Sequence, residues 1–336
     1  MNDKINMEDI AKSLGISKVS VSKALNDKEG VSDDLRVKVK ETAVAMGYRL
    51  NNSARGLKTD KQFNVGILIS EKFILDKEAY YFTVCGEMIR RLDELGYSGI
   101  MEIVTYQNED GCLLPRLYNE NKVDGIIVLG QMHGDYLKKI ETVTVPIVYF
   151  DFYVNHSKTD CVVSDNFFSA YQLTNRLAAL GHRSIAYVGS IRSTSSIQDR
   201  FLGCYKSLIE NSIPLPAAHV IEDRDEQGRF IPLVLPDPLP SAFVCNCDRV
   251  AHALILQLKA AGASVPGTVS VVGFDNSIFS TISEPQITTV DNNVEEMVRT
   301  CARIIIKKIA DPERVYGRVM VSGTIIDRRS AQPVTR

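Results

Sequence analysis

Apolar positions follow two different rhythms along this 336-residue chain: helical spacing up to about residue 48, then short apolar runs separated by amphipathic stretches from residue 64 onward. In MEDIAKSLGISKVSVSKALN (7–26), Ile10, Ala11 and Leu14 recur at helical spacing, Gly15 allows a sharp turn, and Ser17 is placed to cap a second helix. Val21, Ala24 and Leu25 then face back onto the first helix, leaving Lys18, Val19, Ser22 and Lys23 as a small polar and cationic outer face. Ser32 announces a third helix from Asp33 to about Met46, with Leu35, Val39 and Ala43 on one stripe and Gly47 as its stop. Two short helices joined this tightly make a helix-turn-helix pattern, whose second helix meets base edges with its N-terminal end. An ordinary helical hairpin shows the same spacing, so the flanking third helix and the basic, core-poor stretch YRLNNSARGLKTDKQ, which suits a linker, carry the distinction.

The second rhythm predicts a parallel sheet covered on both faces. Candidate strands are 65–69, 99–104, 125–129 and 147–150 in one set and 162–164, 185–189, 242–246 and 269–274 in another, with helices such as 79–95, 167–180, 199–211 and 249–261 between them. Two α/β units in tandem imply two lobes with a cleft, and ligands of open α/β sheets sit beyond the carboxyl ends of the strands.

Charge separates the two parts. Residues 1–62 hold 12 Lys and Arg against 9 Asp and Glu, whereas the rest hold 27 against 32, so only the N-terminal module is fit to meet phosphate. No apolar run precedes that module and none approaches the roughly 18 residues of a membrane span, so a cytoplasmic, soluble protein without membrane contact is expected. Seven scattered cysteines fit reduced thiols. Catalytic signatures are missing: no Walker loop, no G-x-G-x-x-G after a strand, no G-x-S-x-G elbow. Cys245 and Cys247 lack a second ligand pair for a metal, and the five histidines form no paired motif and are expected at turns or the surface. Neither a cofactor nor an enzyme is therefore expected.

Several stretches together resemble the LacI/GalR family of bacterial repressors: DIA at 9–11, Gly15 to Ser17, VS at 21–22, LN at 25–26, VS at 31–32, GYR at 47–49 and N-x-A-R-x-L-K-T from Asn52 to Thr59. The resemblance continues through VDGIIVL (123–129), LGHRSIAYVG (180–189), DRFLG (199–203), VPGTVSVVGFD (265–275), EPQITTV (284–290) and IIDRRS (325–330). It implies a headpiece at 1–49, a hinge helix and linker at 50–62, and a periplasmic-binding-protein-like effector and dimerisation domain at 63–336. Its lobes would be assembled from about 63–163 with 292–321, and 164–290 with 322–336. By position the resemblance makes Leu57, with Ala54 beside it, the hinge residue that wedges into the minor groove, a deformation costing about a few kcal/mol. Lys23 stands where the family usually has arginine and Leu50 where proline is common; lysine cannot make the planar two-bond contact to guanine.

The resemblance further implies that Lys18, Val19 and Lys23 lie nearest the bases while Ser17, Ser22, Asn26, Ser32 and Arg55 position on phosphate, in a symmetric homodimer on a pseudo-palindromic double-stranded operator. For the cleft, strand ends offer Asp151, Asn246 with Asp248, and Asp275, with Arg200 at the start of a helix and Asn292 by a crossing. Carboxylate, guanidinium and amide groups suit the vicinal hydroxyls of a sugar, and these positions match those that bind effector in sugar-responsive members. Thr194 and Ser196 follow in rank, and Phe152, Tyr153 and Phe279 offer stacking faces. Each also has a structural role open to it: Asp248 as a helix N-cap, Asp275 as a turn residue, Arg200 in an inter-lobe ion pair. CNCD (245–248) departs from the family's C-x-N-D, with Cys247 in place of the expected asparagine. The expected function is a repressor released by a carbohydrate-like effector; the alternatives are a corepressor such as a purine, a phosphorylated carrier protein, and, further off, a transport binding protein or an enzyme.

Overall fold

Three short helices close around one small apolar cluster in the N-terminal part of the chain: α1 (Met7–Leu14), α2 (Lys18–Leu25) and α3 (Asp33–Ala45). The computed structural model describes residues 5–25, 28–48, 61–75, 79–155 and 157–334, and the chain divides into two units, Met1–Gln62 and Phe63–Arg336. In the first unit a capping box fixes the start of α1: the Asn6 side chain accepts from Glu8 N at 2.8 Å while Asn6 N donates to Asp9 at 2.9 Å. Gly15, at φ 64°, adopts the left-handed conformation that ends α1 without a Cβ penalty. Ser17 Oγ accepts from Ser20 N at 3.0 Å and Ser32 Oγ from Leu35 N at 3.4 Å, so both serines cap the helices that follow them. Ile10, Val21, Ala24 and Val39 are fully buried. At about 1.5–3 kcal/mol per large apolar side chain, so small a core leaves little margin, and the caps matter accordingly.

In the second unit, six parallel strands form the sheet of lobe 1: β1 (Asn64–Ser70), β2 (Ser98–Val104), β3 (Gly125–Leu129), β4 (Ile147–Phe150), β5 (Asp160–Ser164) and β11 (Arg318–Val321), in the order β11-β5-β4-β3-β1-β2. Lobe 2 has four parallel strands, β6 (Ile185–Val188), β7 (Val220–Ile221), β8 (Ala242–Cys245) and β9 (Ser270–Val272), in the order β7-β6-β8-β9. β10 (Thr289–Asp291) and β12 (Thr324–Ile326) pair antiparallel as a two-stranded ribbon. Each lobe is buried on both sheet faces, which is why β3, β4, β6 and β8 are continuous apolar runs without alternation. The chain leaves lobe 1 after β5, returns after β10 into helix Val294–Ala310, and leaves again after β11.

Several features differ from the sequence reading. The strand expected at 162–164 in the second set is β5 of the lobe 1 sheet, paired with β4 and β11, and β7, β10, β11 and β12 have no counterpart among the expected strands. The strand expected at 269–274 stops at Val272, because Asp275 and Asn276 turn through φ 98° and 47°. The helix expected from 199 begins at Ser195, because Thr194 Oγ1 accepts from Ile197 N at 3.2 Å and caps a Ser-rich run that reads as loop. His182, expected at a turn or the surface, is buried between Ser241 and Ser270, each 3.0 Å from a ring nitrogen.

Helices Asn166–Ala179 and Ser195–Glu210 approach so closely that a Cβ on Gly203 would lie 2.0 Å from the Phe167 carbonyl oxygen. Gly203→Ala is therefore expected to destabilise the protein by about 2 kcal/mol through overpacking against backbone. Gly86→Ala, in helix Ala79–Glu94 with nothing within 4 Å of the added carbon, should be neutral or stabilising by up to about 1 kcal/mol. Urea unfolding of the two variants checks the contrast.

Candidate functional site

The strand ends of both lobes open onto one cavity of about 1300 Å³. Lobe 1 contributes Lys72 and Phe73 after β1, Tyr80 and Tyr81 from helix Ala79–Glu94, Gln131 after β3 and Asp151 after β4. Lobe 2 contributes Ser190 and Arg192 after β6, Thr194, Ser196 and Arg200 from the start of Ser195–Glu210, Arg224 and Phe230 after β7, Asn246 after β8, and Asp275 to Phe279 after β9. That placement is where open parallel sheets collect ligands.

Arg200 organises the floor. It is 5% exposed, its Nε donates to Asn166 at 2.7 Å, its Nη1 donates to the Asn246 carbonyl at 2.5 Å and lies 3.1 Å from Asp275, and its guanidinium stacks on Phe274 at 4.5 Å. Asp275 also accepts from Asn292 Nδ2 at 2.9 Å. Across the floor, Asp151 accepts from Tyr81 Oη at 3.0 Å through one oxygen, whereas among the described residues no hydrogen-bond partner meets its other, buried oxygen or the buried Tyr80 Oη. Asp151 at φ 71° and Asp275 at φ 98° both sit in the left-handed region, which costs about 1–3 kcal/mol each and is the kind of strain that collects at binding sites. Burial first, and then the charge of Asp275, push the Asp151 carboxyl up to about 6 against the pull of Arg200. Buried acceptors and hydroxyls, a fixed guanidinium and nearby aromatic rings can bind a polyhydroxyl ligand.

The candidates of the sequence thus divide. Asp151, Thr194, Ser196, Arg200, Asn246, Asp275 and Phe279 line the cavity. Asn246 does so with its side chain already engaged, donating to Val188 O at 2.9 Å and to Asp223 at 2.8 Å. Asn292 stands one step back, donating to Asp275 with its own oxygen taken by Ser164 at 3.2 Å.

Two expectations are corrected. Asp248 does not reach the cavity and is not a cap either: fully buried, it accepts from Thr289 Oγ1 at 2.6 Å and Ser277 N at 2.8 Å, tying the loop after β9 to β10. Burial and the charge of Asp275 push its carboxyl up to about 8. Phe152 is a core residue, because the left-handed turn at Asp151 sends the following side chain into lobe 1, where it stacks on Tyr149 at 4.6 Å. Tyr153 spans the lobes beside the cleft instead, donating to Asp199 at 2.9 Å under Arg318.

Sequence reasoning missed Tyr80, Tyr81, Lys72, Phe73, Arg224 and Phe230. The tyrosines follow ordinary helical periodicity, and Arg224 and Phe230 are brought together by an isolated bridge across a turn, so no local signal marks either set. The Asp-Arg pair at 223–224 was the one available hint: Asp223 is fully buried, with the Arg224 Nη2 2.8 Å away.

In the headpiece, Lys18 and Val19 are exposed at the N-terminus of α2, Val19 by 65%. Lys18 lies 3.8 Å from Glu8 in an open surface pair of little energy. Ser22 and Lys23 are half-buried, the Lys23 ammonium lying over Gly30. Asn26, Ala54, Arg55 and Leu57 lie outside the described residues.

Residues 6–51 match the family of bacterial regulatory proteins described as lacI family, and residues 174–331 match a periplasmic binding protein-like domain. The chain thus carries a lacI-family helix-turn-helix domain and a periplasmic binding protein-like domain, and its relatives are HTH-type transcriptional regulators. Among its relatives is the HTH-type transcriptional regulator DegA of Bacillus subtilis (strain 168), 26% identical over 342 residues, covering 98% of this chain and 99% of that protein. Similar folds include a transcriptional regulator CelR–cellobiose complex (TM-score 0.70, 22% identity) and a lac repressor dimer bound to operator and the anti-inducer ONPF (TM-score 0.75, 20% identity). Each structure aligns over 98% of this chain and 100% of its own. No helix among the described residues is long and apolar enough to cross a membrane.

The raised Asp151 carboxyl makes stability depend on pH. Between about 4 and 6 the folded protein holds a proton that the unfolded chain has released, so this contribution is full below pH 4 and is lost as pH rises through 6. The unfolding free energy of Asp151→Asn relative to the native sequence is therefore expected to rise by about 2 kcal/mol from pH 4.5 to 7.5; a flat difference in urea titrations at the two pH values would contradict the site's electrostatics. Arg200→Ala leaves Asp275 and Asp151 uncompensated and should cost about 3 kcal/mol at pH 7.5 and less at pH 4.5, by the same measurement.

Proposed function

We propose that the chain is a sequence-specific DNA-binding transcriptional regulator, a cytoplasmic repressor that acts as a homodimer on a pseudo-palindromic operator and is released by a carbohydrate effector in the inter-lobe cleft. One observation carries the reading: a capped helix-turn-helix presenting Lys18 and Val19 to solvent shares a chain with a cleft whose floor holds a buried arginine, strained carboxylates and buried polar atoms.

In this reading Lys18, Val19 and Lys23 meet base edges, with Ser17, Ser22 and Ser32 close to phosphates; Asn26, Ala54, Arg55 and Leu57 extend the interface toward the minor groove. Asp151, Arg200 and Asp275 pair with vicinal hydroxyls, helped by Thr194, Ser196 and Asn246, while Asn292 holds Asp275 in place. Ligand binding favours one lobe arrangement, and operator affinity changes by the difference in ligand affinity between arrangements. The relatives support the DNA-binding part directly, being HTH-type transcriptional regulators, and the cellobiose-bound neighbour supports the carbohydrate class. The cleft does binding alone, without catalysis.

The test is operator affinity, on DNA selected from promoter fragments, titrated at fixed salt with neutral sugars, sugar acids, sugar phosphates and purines. One sugar is expected to weaken specific binding about tenfold or more. A purine or a phosphorylated carrier protein that strengthens it instead would replace the inducer by a corepressor, and failure to select any DNA would end the reading. Lys18→Ala is expected to cost about 1–3 kcal/mol and to relax preference at one base pair in each half-site, whereas Ser32→Ala should weaken all sequences alike, as read by competition binding.

A further inference from the structure

Away from its floor, the cleft brings together two cations from opposite lobes. Lys72 sits in the short helix Lys72–Leu75 after β1, and Arg224 follows β7; both line the same cavity. Lys72 is half-buried with its ammonium 5.0 Å from the centre of the Phe73 ring, and among the described residues no carboxylate forms an ion pair with it. Glu109 favours its charge from a distance, but the oxygens of Glu109 are taken by Ser70 Oγ at 2.6 Å and His133 N at 2.7 Å. Burial, with the positive charge of Arg224, pulls the lysine below its usual pKa.

Arg224 is held rigidly. Asp223 fixes it from the fully buried side, and its guanidinium lies 4.7 Å from the ring of Phe230, which Arg249 approaches from 4.1 Å. Asp223 in turn accepts from Ser190 N and Asn246 Nδ2, each at 2.8 Å, so it cannot swing toward Lys72. Of the other carboxylates beside Arg224, half-buried Asp225 is paired with Arg229 at 2.8 Å, and Glu222 and Glu226 are exposed at the rim, where water and salt screen them. Asp223 offsets the charge of Arg224, so Lys72, Arg224 and Asp223 together carry one net positive charge; closing the lobes on a neutral molecule leaves that charge unmet in a medium of falling dielectric, and an anion between Lys72 and Arg224 meets it.

We propose that the effector is an anionic carbohydrate, a sugar bearing one carboxylate or phosphate group, whose anion lies between Lys72 and Arg224 while its hydroxyls engage Asp151, Arg200 and Asp275. This rests on the cleft being the effector site. Phe73 and Phe230 give the linking carbons an apolar wall on either side.

Calorimetry on the full chain tests the assignment, with glucose, glucuronate and glucose 6-phosphate, the matching galactose series, and inorganic phosphate as a charge-only probe, at fixed ionic strength. One sugar acid or sugar phosphate is expected to bind at least about tenfold tighter than its neutral parent, with the preference shrinking as salt rises. The carboxylate and phosphate arms distinguish the two sources of charge. Lys72→Gln should abolish the preference and Lys72→Arg should retain most of it, while both variants keep the thermal unfolding midpoint of the native chain. A neutral parent that binds as tightly, a preference that survives Lys72→Gln, or inorganic phosphate that binds as tightly as the sugar phosphate would overturn the inference and leave the cleft reading standing. Binding by none of the probes would overturn both.

Discussion

A buried guanidinium cannot stand alone, and the architecture of the two-lobe unit follows from giving Arg200 its partners. Removing such a charge from water costs several kcal/mol, recovered only when carbonyl, amide and carboxylate oxygens are fixed around it. Asn166 comes from the first residue of a helix that follows a lobe crossing, the Asn246 carbonyl from the end of β8, Asp275 from the turn after β9, and the charge of Asp151 from the end of β4 in the other lobe. Because these partners belong to separate strand ends and to both lobes, any ligand that takes up Asp151 or Asp275 redistributes charge between the lobes. The left-handed backbone at both aspartates fits the same constraint: a relaxed strand end would aim those carboxylates elsewhere. Asn292 and Asp248 serve the cluster from behind, one by donating to Asp275, the other by fastening the loop that carries it to β10.

How much of this is legible in the sequence depends on the range over which each feature is encoded. Strands β3, β4, β6 and β8 are continuous apolar runs, so their positions read directly, whereas the edge strands β7 and β11 are too short and too exposed to stand out; the caps at Ser17 and Ser32 read from hydroxyl-bearing residues ahead of helical periodicity. Asp151, Arg200 and Asp275 could be placed because strand ends collect ligands and because family likeness singles out those positions. Phe152 and Asp248 misled for one reason: each neighbours a true cleft residue, and a single turn of the backbone decides which of two adjacent side chains faces the cavity. Tyr80, Tyr81, Lys72 and Arg224 escaped notice because their role comes from the meeting of two lobes more than a hundred residues apart in the chain, which no periodicity records. His182 misled in the opposite sense, since a GH pair reads as a turn while the ring is satisfied by Ser241 and Ser270 deep in lobe 2.

The lacI-family helix-turn-helix and the geometry of the cleft meet at a thermodynamic requirement. If the cleft ligand alters operator affinity, the operator must alter ligand affinity by the same factor, whatever path the coupling takes through the chain. The most direct measurement is therefore the affinity of the full-length protein for its effector, with and without saturating operator DNA, compared with the operator affinity with and without saturating effector. Equal ratios clearly different from one are the result this account predicts. An effector that binds the cleft with the same affinity whether or not operator is bound would contradict it.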